Sequence, residues 1–388
     1  MRPSTVYMDH SATTRVHDLV IDAMLPYLRE HYGNPNSLYF LGQKSQQALE
    51  NARRTVASIL NCVPREVVFT SCGTESDNLA IRGVAMARKA QGGHFITTPI
   101  EHKAVLYTMK QLVQEMGFEL TILPVDEYGM VNLKDVEQAL RSDTILVSIM
   151  YANNEVGTIQ PIAEIGTLLR DHPALFHIDA VQAGGYLPLD VQALGVDLMA
   201  LSGHKFHAPK GVGMMYIRSE TDYVNTLTGG GQERNRRAGT HNVPYIVGFA
   251  KALEIAQTER VQKNARLTAM RNRLIAGILN AVPRAKLTGH PTKRLPGHAS
   301  FTMGEGLEAD AMLLSLDIEG IAASSGSACS SGRNAPSHVL TAIGLPDREA
   351  LSALRLSLGD DNTMEEVDYV VHKLPKVIQR LQAFAMFS

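Results

Sequence analysis

Short apolar runs alternate with longer amphipathic segments through the first part of the chain. Residues 67–70 (VVFT) form a run typical of a strand, and residues 75–88 then repeat apolar positions at helical spacing. Similar patterns follow, with strands at 94–98, 120–123, 145–150, 176–178, 198–201 and 213–217, and helices at 133–140 and 162–170. Strand–helix–strand repeats of this kind predict an α/β fold, with a mostly parallel sheet covered by helices on both faces.

A polar helical stretch at about 245–280 ends this alternation. The chain has 388 residues, which suits one large and one smaller domain. We therefore predict a large domain at 15–258. The smaller α/β domain would combine residues 1–14 with residues 259–388.

Composition narrows the range of partners and compartments. The net charge is −2, which gives no electrostatic reason to expect nucleic acid or an anionic membrane as a partner. No apolar run approaches the roughly 20 residues of a membrane-spanning helix, and residues 1–9 do not resemble a secretory signal. Cys62, Cys72 and Cys329 are far apart and odd in number, which disfavours a disulfide scaffold and a structural metal site. A reducing cytoplasm fits this usage of cysteine best.

Two ionisable residues follow consecutive strand candidates. Asp179 follows the run at 176–178, and Lys205 follows the run at 198–201. Ligands of open α/β sheets bind beyond the carboxyl ends of strands. A lysine there can form a Schiff base with an aldehyde cofactor, and a carboxylate can pair with a protonated pyridine nitrogen. Alone, each has an ordinary alternative, a surface lysine and a helix N-cap. Together they favour a site for pyridoxal 5'-phosphate (PLP).

Small residues join the first of these strands to its helix. The turn contains Cys72, Gly73 and Thr74. Backbone N–H groups and the helix dipole make such a turn an anion site. We predict that these residues hold the PLP phosphate, with help from Ser202 and His204.

Two further polar residues follow strands and have open alternatives. His102 could stack on the pyridine ring and act as an acid or base, or it could be an ordinary loop histidine. Asn153 could bond to substrate or cofactor, or it could cap a turn.

The C-terminal third contributes Arg355 and Cys329. Arg355 lies in an alternating strand pattern, where capture of a substrate carboxylate and a structural salt bridge are comparable alternatives. Cys329 lies in the Gly/Ser-rich run at 324–332, which predicts a mobile, exposed loop. A thiolate there can attack and then move, unlike the cysteines beside apolar or turn segments.

Motifs shared with a known family run along the whole chain: 8–14 (MDHSATT), 33–35 (GNP), 74–78 (TESDN), 101–102 (EH), 153–155 (NNE), 179–182 (DAVQ), 202–205 (SGHK), 239–240 (GT) and 355–357 (RLS). The chain resembles the group I cysteine desulfurases of the nitrogen-fixation and iron–sulfur-cluster type. These are fold-type-I PLP enzymes of the class-V aminotransferase family. The resemblance implies a large domain with a mostly parallel seven-stranded sheet sandwiched by helices, plus a smaller α/β C-terminal domain.

The resemblance also implies a role for each matching residue. Lys205 would carry PLP and move protons, Asp179 would pair with the pyridine nitrogen, and His102 would stack on the ring. The remaining cofactor contacts would come from Cys72, Gly73, Thr74, Asn153, Gln182, Ser202 and His204, and from Thr240, donated by the other subunit of a homodimer. Asn153 and Arg355 would bind the carboxylate of L-cysteine. Cys329 would take the substrate sulfur as a persulfide and leave L-alanine. A protein acceptor, such as an iron–sulfur scaffold or a thiolation protein, would receive the sulfur.

Two other kinds of function are less consistent with these residues. A selenocysteine lyase and an ordinary class-V aminotransferase are the nearest enzymes, but a transaminase has no use for the loop cysteine Cys329. A catalytically silent scaffold would need none of Lys205, Asp179, His102 and Cys329. Because several roles occur together, an enzyme is the favoured interpretation.

Overall fold

The computed structural model describes residues 5–326 and 335–385 of the chain. Its strands are β1 (Val6–Tyr7), β2 (Val67–Thr70), β3 (His94–Thr97), β4 (Glu119–Ile122), β5 (Thr144–Ser148), β6 (Leu175–Asp179), β7 (Leu198–Ser202), β8 (Gly213–Ile217), β9 (Lys286–Leu287), β10 (His298–Thr302), β11 (Ile321–Ala322) and β12 (Ala353–Ser357). Its α-helices are α1 (Asp18–Arg29), α2 (Phe40–Leu60), α3 (Gly73–Arg88), α4 (Lys103–Met116), α5 (Leu133–Ala139), α6 (Ile162–Leu169), α7 (Val191–Leu194), α8 (Val243–Thr258), α9 (Arg260–Ala281), α10 (Ala309–Ile318), α11 (His338–Ala342), α12 (Asp347–Ala350) and α13 (Met364–Ala385).

The largest sheet has seven strands in the order β2-β8-β7-β6-β5-β3-β4. Only β8 runs antiparallel to its neighbours among the strands of this sheet. The other neighbouring pairs are parallel. This arrangement confirms the α/β class and the mostly parallel seven-stranded sheet that the resemblance implied.

Every strand of this sheet except the edge strand β4 is buried on both faces, with neighbouring residues pointing to opposite sides. Along β2, Val68 packs in one apolar cluster with Val84 of α3. Phe69, the next residue, packs in a different cluster with Phe249 of α8. The buried strands are therefore largely apolar runs, which is why the pattern in the sequence predicted them so closely.

A separate apolar cluster surrounds the C-terminal strands. β9, β10 and β12 form an antiparallel sheet, and β1 pairs in parallel with β11. Leu274 of α9, Phe301 of β10 and Val370 of α13 belong to this cluster, together with Met8 from the N-terminal segment. These contacts support the predicted domains at 15–258 and at 1–14 with 259–388, and those boundaries stay a prediction.

The helical stretch expected at about 245–280 is two helices, α8 and α9, which meet at Glu259. The break lies where the packing partners change. α8 packs on α1 and α2 beside the large sheet, whereas α9 packs on α13 and β10. Tertiary packing decides this boundary, and the local sequence carries no helix breaker there.

No α-helix among the described residues is both long enough and apolar enough to cross a membrane.

We predict that Phe249→Ala destabilises the protein by about 3–5 kcal/mol, the usual cost of removing a buried phenylalanine. The ring of Phe249 is fully buried and lies edge-on to Phe69 and Phe206, at centroid distances of 6.1 and 5.1 Å. Urea denaturation measures the loss. Leu314→Ala is the control, because Leu314 is 70% exposed and its truncation should change stability by about 0.5 kcal/mol or less. Equal losses in the two variants would contradict this account of the core.

Candidate active site

A cavity of about 260 Å³ lies where the carboxyl ends of the parallel strands meet. Ten of the predicted site residues line it: Cys72, Gly73, Thr74, His102, Asp179, Gln182, Ser202, His204, Lys205 and Arg355. They come from the ends of four strands, β2, β3, β6 and β7, and from β12, so the fold alone brings them together.

Lys205 lies in a 3-10 turn directly after β7. Its Nζ donates to the carbonyl oxygens of Ser11, at 2.6 Å, and Ala12, at 2.9 Å. The N-terminal segment therefore orients the amine within the cavity. Ser11 and Ala12 line the cavity too, and sequence reasoning gave them no role, although they lie in a shared motif.

Asp179 is the last residue of β6 and is buried. Its Oδ1 accepts from the backbone N–H of Val181 at 2.9 Å, within a turn instead of a helix start. Burial raises the pKa of Asp179, while His102 and Lys205 oppose that rise. A cation placed in the cavity would also oppose this rise and favour the charged carboxylate, so the site suits a ligand that carries a proton on a ring nitrogen.

The turn after β2 leads directly into α3. Cys72 is the N-cap residue of this helix but makes no side-chain capping bond, so the first turn keeps N–H groups available. A Cβ on Gly73 would come within 2.6 Å of Val181 Cγ2. Glycine is thus required for α3 to begin so close to the turn after Asp179. This geometry is suited to an anion at the helix start.

His204 completes the side of the cavity next to this helix start. Its Nδ1 lies 3.1 Å from Thr13 Oγ1. Burial and the nearby Lys205 and Lys210 charges lower its pKa to about 4. His204 is therefore neutral near pH 7, and it can offer a hydrogen bond to an anion but no charge.

His102 is the N-cap residue of α4, and its Nδ1 accepts from Ala104 N–H at 3.1 Å. Burial lowers the pKa of His102, and the charges of Lys205 and His338 lower it as well. Together they outweigh Asp179, which acts in the opposite direction. A neutral His102 consequently carries its hydrogen on Nε2. Just before it, Glu101 is fully buried and its Oε1 accepts from Thr98 Oγ1 and Met150 N–H, which ties the ends of β3 and β5 together.

Arg355 also lines the cavity. Its Nη2 donates to Asp9 Oδ1 at 2.7 Å and its Nη1 to the carbonyl of Asn154 at 2.8 Å. The salt bridge considered from the sequence is therefore present. Nε is buried without a hydrogen-bond partner among residues 5–326 and 335–385. Capture of a substrate carboxylate by Arg355 stays a prediction, and it would take place beside Asp9.

Asn153 does not line the cavity. Its side chain is buried, with Nδ2 donating to the Ile100 carbonyl and Oδ1 accepting from Glu155 and Val156 N–H. This geometry favours the turn-capping alternative over direct contact with substrate or cofactor. The neighbouring Asn154 lines the cavity instead.

Four other residues complete the account of the expected site. Gln182 lines the cavity and donates from Nε2 to the Ser11 carbonyl at 2.9 Å. Thr240 is exposed and lies outside the cavity of its own chain. Cys329 lies outside the described residues, although Gly326, three residues earlier, is part of the cavity wall. Asp77, a buried residue of the 74–78 motif, lines the cavity and had been given no role.

The fold and the cavity agree with the comparisons to known proteins. Residues 6–370 match the family described as Aminotransferase class-V. The chain is 51% identical to cysteine desulfurase IscS of Methanosarcina thermophila, over 97% of this chain and 93% of that protein. It is 48% identical to cysteine desulfurase IscS of Clostridium botulinum strain Hall, over 97% of this chain and 94% of that protein.

Solved structures give the same result. A NifS-like protein superimposes with a TM-score of 0.91 at 41% identity, covering 97% of this chain and all of that chain. SspA in complex with cysteine superimposes with a TM-score of 0.80 at 35% identity, covering 91% and 99%. The fold and its strand-end cavity define a class-V aminotransferase. Within that class, the chain belongs to the cysteine desulfurase family.

Enzymes of this family depend on PLP, and the residues of the cavity fit that group. PLP presents an aldehyde, a pyridine nitrogen and a phosphate. Lys205 offers an amine for the aldehyde. Asp179 offers a buried carboxyl whose pKa a cation would lower, which suits the pyridine nitrogen. The start of α3, together with Ser202 and His204, offers donors for the phosphate. These groups lie around one cavity, as a single ligand with three functional groups requires.

We predict that Glu101→Gln stabilises the apoprotein more at pH 8 than at pH 5. Burial raises the pKa of Glu101 to about 8, whereas the unfolded chain ionises at the ordinary glutamate value. The protonated wild-type carboxyl makes its full contribution to the free energy of unfolding below about pH 4, and this contribution is lost as the pH rises to 8. The variant has no such loss, so the difference in unfolding free energy should grow by roughly 2–4 kcal/mol between pH 5 and 8.

Urea unfolding of both apoproteins at the two pH values measures this difference. The exposed Glu30, changed to Gln, serves as the control. A difference for Glu101→Gln that is independent of pH would show that Glu101 is ionised in the folded protein.

Proposed function

We propose that this protein is a PLP-dependent cysteine desulfurase that converts L-cysteine to L-alanine and transfers the sulfur to Cys329 as a persulfide. The observation that carries the proposal is the placement of the Lys205 amine, the Asp179 carboxyl and the Arg355 guanidinium around one cavity. These groups match the aldehyde and ring nitrogen of PLP and the carboxylate of an amino-acid substrate.

When bound, PLP would withdraw electrons from the substrate Cα and stabilise the electron pair that C–S cleavage leaves on the carbon. Asp179 would hold the proton of the pyridine nitrogen, since it is buried beside that position and one of its oxygens is already fixed by Val181. Gly73, Thr74, Ser202 and His204 would bind the phosphate.

The other end of the cavity would bind the substrate. Arg355 would direct two donors to the carboxylate of L-cysteine, with Asp9 orienting the guanidinium. Lys205, held by the Ser11 and Ala12 carbonyls, would move the proton at Cα. His102 would face the cofactor ring from the start of α4, with Nε2–H as its available donor.

Cys329 would complete the reaction. Its thiolate attacks the substrate sulfur, an S–S bond forms and the Cβ–S bond breaks. The electron pair stays with the carbon, which takes a proton and becomes the methyl group of alanine. The products are therefore alanine and a Cys329 persulfide, and a second thiol on an acceptor protein can take the terminal sulfur.

The acceptor that fits this chemistry is a protein thiol of iron–sulfur cluster assembly or of a thiolation pathway. We place the reaction in the cytoplasm, where thiols stay reduced. Cys62 and Cys72 are both free thiols in the described part of the chain, which is consistent with that compartment.

We further propose that the enzyme is a homodimer. Tyr32, Leu38, Tyr39 and Phe40 expose large apolar side chains within one short stretch of the single chain. Such patches are uncommon on monomers and typical of interfaces. Thr240, exposed outside its own cavity, would then contribute to the phosphate site of the other subunit.

Lys205→Ala should abolish turnover, because the cavity wall holds no other lysine that can carry the cofactor among the described residues. Borohydride reduction of the wild type followed by peptide mapping should place the PLP label on Lys205. The nearby Lys210→Ala is the control and should keep both label and turnover. A label on Lys103 or Lys210 would show that the cofactor lysine is assigned incorrectly.

Cys329→Ala should still bind PLP and still change its spectrum with L-cysteine, but it should lose alanine and sulfide production by at least about a hundredfold, as expected when a nucleophile is removed. Burial raises the pKa of the Cys62 thiol to about 12, so Cys62 stays protonated. Cys62→Ala is therefore a control that should stay active, and Cys72→Ala should lose at most a modest part of its activity through weaker phosphate binding.

The mass of the wild-type peptides, measured after treatment with cysteine and no reductant, locates the added sulfur. Sulfur on Cys72, or normal turnover by Cys329→Ala, would contradict the proposed transfer. Transamination with retention of the sulfur would instead identify an aminotransferase.

A further inference from the structure

Three consecutive residues with side chains have left-handed backbone conformations. They are Glu233, Arg234 and Asn235, with φ angles of 47°, 56° and 64°. Residues other than glycine seldom adopt this region, because Cβ crowds the following carbonyl oxygen. Such strain persists only where the surroundings fix it, and it is concentrated in functional segments. The strained segment lies a few residues before Thr240.

Glu233 anchors this segment in the interior. Its carboxylate accepts hydrogen bonds from Arg53 Nη1 at 2.7 Å and Nη2 at 2.9 Å, and from Phe69 N–H at 3.1 Å. Arg53 is in the middle of α2 and its side chain is 2% exposed. Burial alone would raise the pKa of Glu233, but His241 and Arg53 lower it to about 2, so the carboxylate is charged. A buried ion pair therefore holds the first strained residue.

Two short tethers connect the same segment to the residues on either side of Thr240. Gly239 N–H donates to Gln232 Oε1 at 3.0 Å. His241 Nε2 lies 2.9 Å from Glu233 Oε1, an ion-pair contact whose angle does not make a hydrogen bond among the described residues. Thr240 is thus fixed at both neighbours while its own side chain is exposed.

A third contact braces the loop against the cavity of its own subunit. Arg237 Nε donates to Glu75 Oε1 at 2.7 Å, and Glu75 lies in the first turn of α3. The loop is therefore attached to the helix that begins at the cavity, whereas Thr240 itself is exposed and does not line that cavity.

We propose that Gln232, Glu233 and His241, anchored by Arg53, are positioning residues that preorganise Thr240 for the PLP phosphate of the partner subunit. This inference rests on the proposed homodimer. Fixing a donor before binding removes the cost of ordering the loop at the moment when the phosphate arrives. The strained backbone at 233–235 is then the cost of presenting Thr240 in one orientation.

A change in the loop of one subunit should affect the PLP site of the partner subunit, and mixed dimers can test this. In the trans dimer, one subunit carries His241→Ala and Lys205→Ala, and the other is wild type. Its one intact lysine site then relies on the altered loop. In the cis dimer, one subunit carries His241→Ala and the other only Lys205→Ala, so the one intact lysine site relies on a normal loop.

The experiment measures how fast PLP dissociates from the intact Lys205 site. Borohydride added at successive times attaches the PLP that is still bound to Lys205, so the decline of the label gives the rate. It should rise about tenfold or more in the trans dimer, the expected loss for a weakened hydrogen bond to a charged phosphate, and stay unchanged in the cis dimer. Thr240→Ala in the same two arrangements provides the reference. His241→Ala leaves the Arg53–Glu233 pair intact, and Gln232→Ala, which removes the other tether, is the second variant.

A faster rate in the cis dimer, or unchanged rates in both dimers for both variants, would overturn the inference. Sedimentation of the wild-type holoenzyme separates this failure from that of the proposed function. An active PLP-loaded monomer would overturn the homodimer, and with it the inference, while leaving the desulfurase assignment in place.

Discussion

The desolvation of ionisable groups at the ends of the strands constrains the whole site. Asp179, Asp77, Glu101 and His102 are held out of water close to Lys205, and each must be neutralised, paired or kept protonated. The Coulombic influence of Asp179 on Asp77 and Glu101 shows that these carboxyls act on one another. A cofactor with a cationic ring and an anionic phosphate resolves part of this imbalance. The apoprotein accordingly contains buried ionisable groups that gain oppositely charged partners only when such a ligand binds.

Much of the large sheet could be predicted because its strands are short apolar runs buried on both faces. The runs at 67–70 and 213–217 coincide with β2 and β8, and the others differ from the structure by a residue or two. The end of α8 at Thr258 could not be predicted in this way. It depends on which helix packs beside each half of the stretch, and that information is not local.

The site residues show the same division. Residues that directly follow strands, such as Asp179 and Lys205, could be assigned because the edge of a parallel sheet gathers them. Asn153 and Asn154 are adjacent and chemically identical, so no pattern in the sequence decides which of them faces the cavity. The partnership of Arg355 with Asp9 joins residues 346 positions apart, and only the folded chain reveals it.

The N-terminal segment also has a consequence for the order in which the site forms. Val6 pairs with Ile321, and the backbone of Ser11 bonds to Ser357 Oγ while its carbonyl holds the Lys205 amine. On the ribosome, the residues that orient the lysine are made first, but their own partners emerge near the end of synthesis. Contacts of such long sequence separation form late, because the intervening chain must be ordered before they are gained. A nascent chain that ends before residue 321 therefore contains every strand of the large sheet, and Gln182 to bond the Ser11 carbonyl, but it lacks the later partners Ile321 and Ser357 of the segment that holds Lys205.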